Sequence, residues 1–108
     1  MNDISEKIPR SVDQAVDRLI SELSLYDKSM IVNTSEEELI DLQFSVGEYI
    51  RKEFRLEENH DLMESCRSAS EVDEIHIGHA SYTIIKQLWK SLHKVFIFKG
   101  VYKKLSKE

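Results

Sequence analysis

The fold is decided first by residues 11–24, which read SVDQAVDRLISELS. Apolar residues stand at positions 12, 15, 16, 19, 20 and 23, a spacing that places them on one face of an α-helix. Ser11 and Gln14 fit a capping box, in which the serine hydroxyl caps the helix and the glutamine side chain reaches back. The stretch therefore predicts an amphipathic helix over about 11–24.

A second amphipathic stretch follows at about 35–54, and three glutamates stand at its start. Thr34 or Ser35 can cap it, and residues 36–38 then lie in the first turn, where the helix dipole favours carboxylates. We interpret this acidic run as a helix start rather than as a metal or catalytic cluster. Gly47 lies inside the predicted helix at a cost of about 1 kcal/mol relative to Ala, so we expect another helix to approach it closely.

Two further helices are expected in the second half of the chain. A short one begins after Asn59, which can cap it, and a longer one begins near His79 or Ala80. Their apolar faces consist of Leu62, Met63, Cys66, Ile84, Ile85, Leu88, Trp89 and Leu92. Residues 95–98 (VFIF) either extend the last helix to Lys99, with Gly100 as its stop, or form a short strand or a docking segment.

These elements predict an all-α, single-domain bundle of three long helices plus one short helix. The short connections favour antiparallel neighbours. We expect the helical domain to cover residues 8–94 and a basic C-terminal extension to cover residues 95–108. The expected core consists of Val16, Leu19, Leu23, Leu39, Val46, Ile50, Phe54, Leu62, Ile85, Leu88, Trp89 and Leu92.

The composition excludes several other classes of protein. With three glycines, one proline and one cysteine in 108 residues, the chain does not fit a β-sandwich or a disulfide scaffold. No apolar run approaches the roughly 18–20 residues that a membrane span needs, so we expect no stable membrane span. The first residues lack the charged-then-apolar pattern of a secretion signal, and we expect a cytoplasmic protein.

Charge is distributed unevenly along the chain. Residues 1–85 contain 8 basic and 19 acidic side chains, whereas residues 86–108 contain 7 lysines and one glutamate. The acidic part should repel nucleic acid and anionic membranes, and we expect no nucleic-acid partner. The simplest interpretation of the basic end is that it neutralises the acidic part, in the same chain or in a neighbouring subunit.

The basic end also combines lysines with aromatic residues, namely Phe96, Phe98 and Tyr102. This combination occurs in single-strand binding, in amphipathic membrane anchors and in protein-docking segments. The acidic body argues against the first two. Protein docking, self-association and a plain extension of the core therefore stay open for this segment.

Few residues have the spacing of a catalytic or metal site. His76 and His79 form a His-x-x-His pair, but no second close pair of ligands accompanies it, so we expect no metal and no cofactor. Cys66 has the setting of a small core residue rather than of a nucleophile. The planar fork of Arg51 can bind a carboxylate or a phosphate, but we favour a structural tie to Asp17, Asp61 or Asp73.

The order of the motifs resembles that of a small bacterial helical family known only as a domain of unknown function. The matching residues are Pro9, Ala15, Val16, Asp17, Asp27, Lys28, Ser35, Glu36, Glu37, Glu38, Leu39, Gly47, Ile50, Arg51, Phe54, Leu56, Asn59, Leu62, Cys66, His76, Ala80, Ser81, Ile84, Ile85 and Trp89. The resemblance covers about residues 8–94 and implies no activity or cofactor. The chain departs from the pattern at Gln43, Lys52 and residues 77–79. If the family has a polar site, this chain keeps Arg51, His76 and Ser81 of it.

We therefore expect a non-enzymatic protein-interaction module whose acidic surface masks a basic partner. One alternative is a small ligand-binding or enzymatic domain that uses Arg51, His76 and Ser81, which requires the three side chains to converge in a concave pocket. Another alternative is homo-oligomerisation through the C-terminal segment that contains Phe96, Phe98 and Tyr102.

Overall fold

The computed structural model describes residues 8–98, and side chains are described for residues 8–95. Within this part the chain is all-helical and contains no β-strand. The α-helices are α1 (Val12–Glu22), α2 (Leu25–Val32), α3 (Val46–Glu53), α4 (His60–Ser70) and α5 (Ile77–Phe98). A long 3₁₀ helix (Glu36–Phe44) precedes α3, and a short 3₁₀ helix (Leu56–Glu58) precedes α4.

The α1 helix forms where the capping box predicts it. The Ser11 hydroxyl accepts a hydrogen bond from the Gln14 backbone N–H at 3.1 Å, and the Gln14 side chain accepts from the Arg10 N–H at 2.9 Å. The Gln14 side chain thus reaches back, although to the residue before the cap. Val12, Ala15, Val16 and Leu19 bury the apolar face.

Residues 25–32 form a helix that was expected to be a connection. The hydroxyl of Ser24 accepts a hydrogen bond from the backbone N–H of Asp27 at 3.1 Å and so caps a new helix. Only two residues separate this helix from the end of α1. Only Ile31 and Val32 of α2 are buried. The helix therefore has no regular apolar face by which its sequence would reveal it.

The predicted helix over 35–54 is divided in two. Leu39 and Leu42 lie three residues apart and are both buried, which suits the eclipsed i, i+3 positions of a 3₁₀ helix. From Leu42 onward the apolar residues lie four apart, and the chain continues as α3. The break falls at Ser45, whose φ of −121° and ψ of −76° are not helical. The described chain thus has five α-helices and two 3₁₀ helices, not three long helices and a short one.

Asn59 fixes the start of α4, as the sequence predicts. Its side-chain oxygen accepts from the Leu62 N–H at 3.2 Å, and its amide nitrogen donates to the carbonyls of Pro9 and Phe54 at 2.8 and 3.0 Å. One side chain thus caps α4 and ties it to the residues that precede α1 and follow α3. The helix ends at Glu71, which has a left-handed φ of 56°.

The α5 helix lies at the centre and contacts each of the other elements. It runs antiparallel to the long 3₁₀ helix: Gly78 O accepts from Gln43, Lys86 pairs with Glu36 at 3.2 Å, and the Trp89 indole donates to Thr34 O at 2.8 Å. It begins at Ile77, a little earlier than expected, and it continues through Phe98. For residues 95–98 the helical alternative therefore holds.

The core agrees largely with the expected set, except that Leu23, Val46 and Trp89 are only partly buried against it. The buried apolar residues are Val12, Ala15, Val16, Leu19, Ile31, Val32, Leu39, Leu42, Ile50, Phe54, Leu56, Leu62, Cys66, Ala80, Ile84, Ile85, Leu88 and Leu92. Among residues 8–98 the structure contains no helix of the length and apolarity needed to cross a membrane.

Candidate functional site

Arg51 lies in the last turn of α3, and its hydrogen bonds join three elements of the fold. Its Nη1 donates to the side-chain oxygen of Gln43 at 3.2 Å and to the hydroxyl of Ser81 at 3.1 Å, and its Nη2 donates to the backbone carbonyl of Gln43 at 3.1 Å. These bonds join α3 to the end of the long 3₁₀ helix and to the first turn of α5. The structural role expected for Arg51 is therefore present, although the partners are an amide, a carbonyl and a hydroxyl rather than an aspartate.

Ser81 lies at the buried end of this network. Its side chain is fully buried, and its hydroxyl donates to Gln43 Oε1 at 2.7 Å, with the carbonyl of Gly78 a second acceptor at 3.1 Å. The same carbonyl accepts from Gln43 Nε2 at 2.9 Å. The enclosed hydroxyl thus joins the long 3₁₀ helix to the start of α5.

Gly47 makes room for the network, not for another helix as expected. A Cβ atom at position 47 would lie 2.5 Å from Gln43 Oε1 and 3.0 Å from Arg51 Nη1. A side chain at position 47 would therefore displace Gln43 Oε1 from its present place in the network. The sequence could reveal the close approach but not the identity of what approaches.

Among the described residues, His76 forms no hydrogen bond with Arg51 or Ser81. Its side chain is exposed, and its Nδ1 atom accepts the His79 backbone N–H at 3.4 Å at the start of α5. The rings of His76 and His79 are 6.1 Å apart, and the described residues contain no group of three or more His, Cys, Asp or Glu that could hold a metal ion. The structure thus brings Arg51 and Ser81 together but leaves His76 at the surface.

Cys66 is fully buried on α4 and faces α5. Its Sγ atom lies 3.5 Å from the carbonyl of Ala80, and burial raises the pKa of the thiol to about 12. A thiol with such a pKa stays protonated near neutral pH, which suits a core residue and not a nucleophile.

A feature that the sequence did not reveal is a set of exposed apolar side chains between residues 25 and 49. Among residues 8–95, every large apolar side chain that is exposed comes from α2, the long 3₁₀ helix or α3. They are Leu25, Tyr26, Met30, Ile40, Phe44 and Tyr49, and Phe44 is the most exposed at 84%. All of them come from residues 25–49, and we call the exposed side chains of this segment, taken together, the acidic–apolar surface. The sequence signalled only part of this set, through the apolar content of residues 25–33, whose spacing does not form the stripe of an amphipathic helix.

The acidic–apolar surface carries excess negative charge. It contains six carboxylates and one lysine, and the Nζ of that residue, Lys28, donates to the carbonyl of Ile20 at 2.9 Å. Within the described part of the chain, Glu37, Glu38 and Asp41 form no ion pair. Within the described residues, Lys28 and the Lys86–Glu36 ion pair therefore balance only part of the negative charge of this surface.

Tyr49 connects the acidic–apolar surface to α1. Its hydroxyl donates to the carboxylate of Glu22 at 2.7 Å, and this hydrogen bond raises the pKa of the Tyr49 phenol to about 12. Arg18 pairs with the same carboxylate at 3.6 Å. The aromatic ring of Tyr49 is thus held in one orientation at the surface.

The aromatic residues proposed for the C-terminal segment are not placed by the structure. The side chains of Phe96 and Phe98 and the whole of Tyr102 lie outside the described residues. The suggestion that they bind a partner or a second copy stays a prediction.

The class of protein that this fold defines is a compact, all-helical single domain. Residues 8–92 match the family described as a domain of unknown function (DUF6794), and the chain belongs to that family. Comparison with curated proteins and with solved structures gave no match.

Proposed function

We propose that this domain is a non-enzymatic protein-interaction module whose acidic–apolar surface binds a basic protein partner. The observation that supports the proposal is the concentration of all exposed large apolar side chains of residues 8–95 in one segment that is also strongly acidic. Exposed apolar groups rimmed by polar ones are typical of protein-binding surfaces. The carboxylates select partners that carry lysine and arginine.

The exposed side chains suit the centre of an interface. Phe44 and Tyr26 are aromatic, and aromatic residues dominate the binding energy of many interfaces because they bury a large area with few rotatable bonds. The acidic rim accelerates association with a cationic partner and makes the association rate depend on salt. Nucleic acid and anionic membrane do not fit this surface because they carry the same charge.

The alternative ligand-binding or enzymatic role for Arg51, His76 and Ser81 has less support. It requires the three side chains to converge, but Ser81 is enclosed within a hydrogen-bond network and His76 lies at the surface. Self-association through Phe96, Phe98 and Tyr102 has no observation among the described residues in its favour. Both alternatives predict outcomes that differ from those of the interaction module.

The test is affinity capture with the full chain as bait, in an extract of the cell that makes it. Two pairs of adjacent, exposed glutamates provide a matched comparison, because each pair lies at the start of a 3₁₀ helix. The baits are the natural chain, E37K/E38K on the acidic–apolar surface, E57K/E58K away from it, and Phe44→Ser.

The proposal expects one basic protein that the natural chain and E57K/E58K both retain and that E37K/E38K and Phe44→Ser lose. Its association rate should fall as salt concentration rises. Circular dichroism of each bait checks that the fold is intact. If no protein is retained, or if all four baits retain it equally, the acidic–apolar surface is not an interaction site.

A further inference from the structure

Two N–H donors of Arg51 take no part in its bonds to Gln43 and Ser81. The three hydrogen bonds of the guanidinium all end on uncharged oxygen atoms. They occupy both N–H groups of Nη1 and one of Nη2. The Nε–H and the second Nη2–H belong to neighbouring nitrogens, which is the pair of donors that grips two oxygen atoms of one carboxylate or phosphate.

A cavity of about 330 Å³ opens beside this side chain. Its lining consists of Arg51, Lys52, Arg55, Glu57 and Glu58. Within residues 8–98 none of these five side chains forms an ion pair. Three cations thus face one cavity with two carboxylates, and the guanidinium of Arg51 is already fixed in place.

The backbone at Arg55 places the third cation of the cavity. Its φ of 50° and ψ of 48° are left-handed, a conformation that is costly for any residue with a side chain and that glycine usually occupies after a helix. An arginine at this position supplies the third cation of the cavity at the expense of backbone strain.

We propose that the cavity beside Arg51 binds a small oxyanion, a carboxylate or phosphate group. The fixed guanidinium of Arg51 supplies the paired donors, and Lys52 and Arg55 supply the surrounding positive charge. Glu57 and Glu58 line the same cavity and oppose binding because their carboxylates repel an anion. This site is separate from the acidic–apolar surface and does not depend on the proposed interaction function.

The test is a titration of the full chain with inorganic phosphate and, separately, with acetate. The readout is the Nε–H resonance of Arg51 in an NMR spectrum of the arginine side chains, with thermal unfolding measured in parallel. Binding of both anions indicates a general oxyanion site, and binding of phosphate alone restricts the site to phosphate groups. Sodium chloride at matched ionic strength controls for screening.

Substitutions at the rim keep the Arg51 network intact and give effects of opposite sign. Lys52→Gln should weaken phosphate binding roughly tenfold, the change that follows from losing one charged contact worth about 1.4 kcal/mol. Glu57→Gln should strengthen binding. Lys90→Gln, an exposed lysine on α5, is the matched control and should leave binding unchanged. The proposal is overturned if the Arg51 resonance does not move, or if Lys52→Gln and Lys90→Gln bind phosphate equally.

Discussion

Replacing Gly47 with alanine is expected to destabilise the protein, although alanine is the better helix former. Gly47 lies in α3, where Ala is favoured over Gly by about 1 kcal/mol. The new methyl group would lie 2.5 Å from Gln43 Oε1, so the glutamine side chain has to move away. That oxygen accepts from Arg51 and from Ser81, and its displacement removes both bonds.

The size of the effect follows from the lost bond to the guanidinium. A hydrogen bond to a charged group contributes about 1.5–3 kcal/mol, whereas the Ser81 hydroxyl keeps the Gly78 carbonyl as an acceptor. Subtracting the gain in helix propensity leaves Gly47→Ala less stable by about 0.5–2 kcal/mol. At about 4 °C per kcal/mol, the melting temperature should fall by about 2–8 °C.

Urea unfolding of four proteins separates the two contributions. In the presence of Gln43→Ala the crowding oxygen is absent, so Gly47→Ala should now stabilise the protein by about 1 kcal/mol. The two substitutions should therefore be coupled by about 1.5–3 kcal/mol in a double-mutant cycle. If Gly47→Ala raises stability equally in both backgrounds, the hydrogen-bond network over Gly47 does not stabilise the fold.

Three further substitutions and titrations test other parts of the structure. Glu71 holds a left-handed φ at the end of α4, so Glu71→Gly should raise the free energy of unfolding by about 0.5–1 kcal/mol in urea, and a loss of stability would contradict the geometry. The Tyr49 phenol should ionise near pH 12, as followed by ultraviolet absorbance, and Glu22→Ala should move its pKa toward 10; an unchanged pKa would show that the hydrogen bond is not its cause. Burial raises the pKa of the Cys66 thiol from 9.0 to about 12, so its contribution to stability is present below pH 9 and is lost as the pH rises through 12. Cys66→Ala should remove this part of the alkaline loss in unfolding experiments, and an identical pH dependence would refute it.

The parts of the fold that could be predicted are those with a regular apolar stripe and a cap. The helix expected over 11–24 is α1, because its apolar spacing and the Ser11 cap agree with each other. The α2 helix was missed because a Ser24 cap alone starts it and only Ile31 and Val32 are buried. The division of the second predicted helix depends on the backbone at Ser45, which residue spacing signals only as a change of step at Leu42.

The candidate site was predicted less completely than the fold. The structural tie of Arg51 was anticipated, but its partners were not, because they lie 8 and 30 residues away along the chain. Gln43 appeared in the sequence only as a departure from the family pattern, and it proves to be the acceptor that joins Arg51 to Ser81. Pairings of this kind depend on how the helices pack, and a single sequence does not show them.

The long 3₁₀ helix has a mechanical consequence for the surface that includes Ile40 and Phe44. A 3₁₀ helix rises about 2.0 Å per residue and an α-helix about 1.5 Å, so the nine residues of Glu36–Phe44 would shorten by about 4.5 Å on rewinding. Such rewinding would also turn Phe44 relative to Leu39, since the two helices differ in residues per turn. Its hydrogen bonds have poorer geometry than those of α5, and its amides should exchange with deuterium sooner. Among the described residues, the most exposed aromatic side chain thus lies on a helix that would shorten and turn if it rewound to an α-helix.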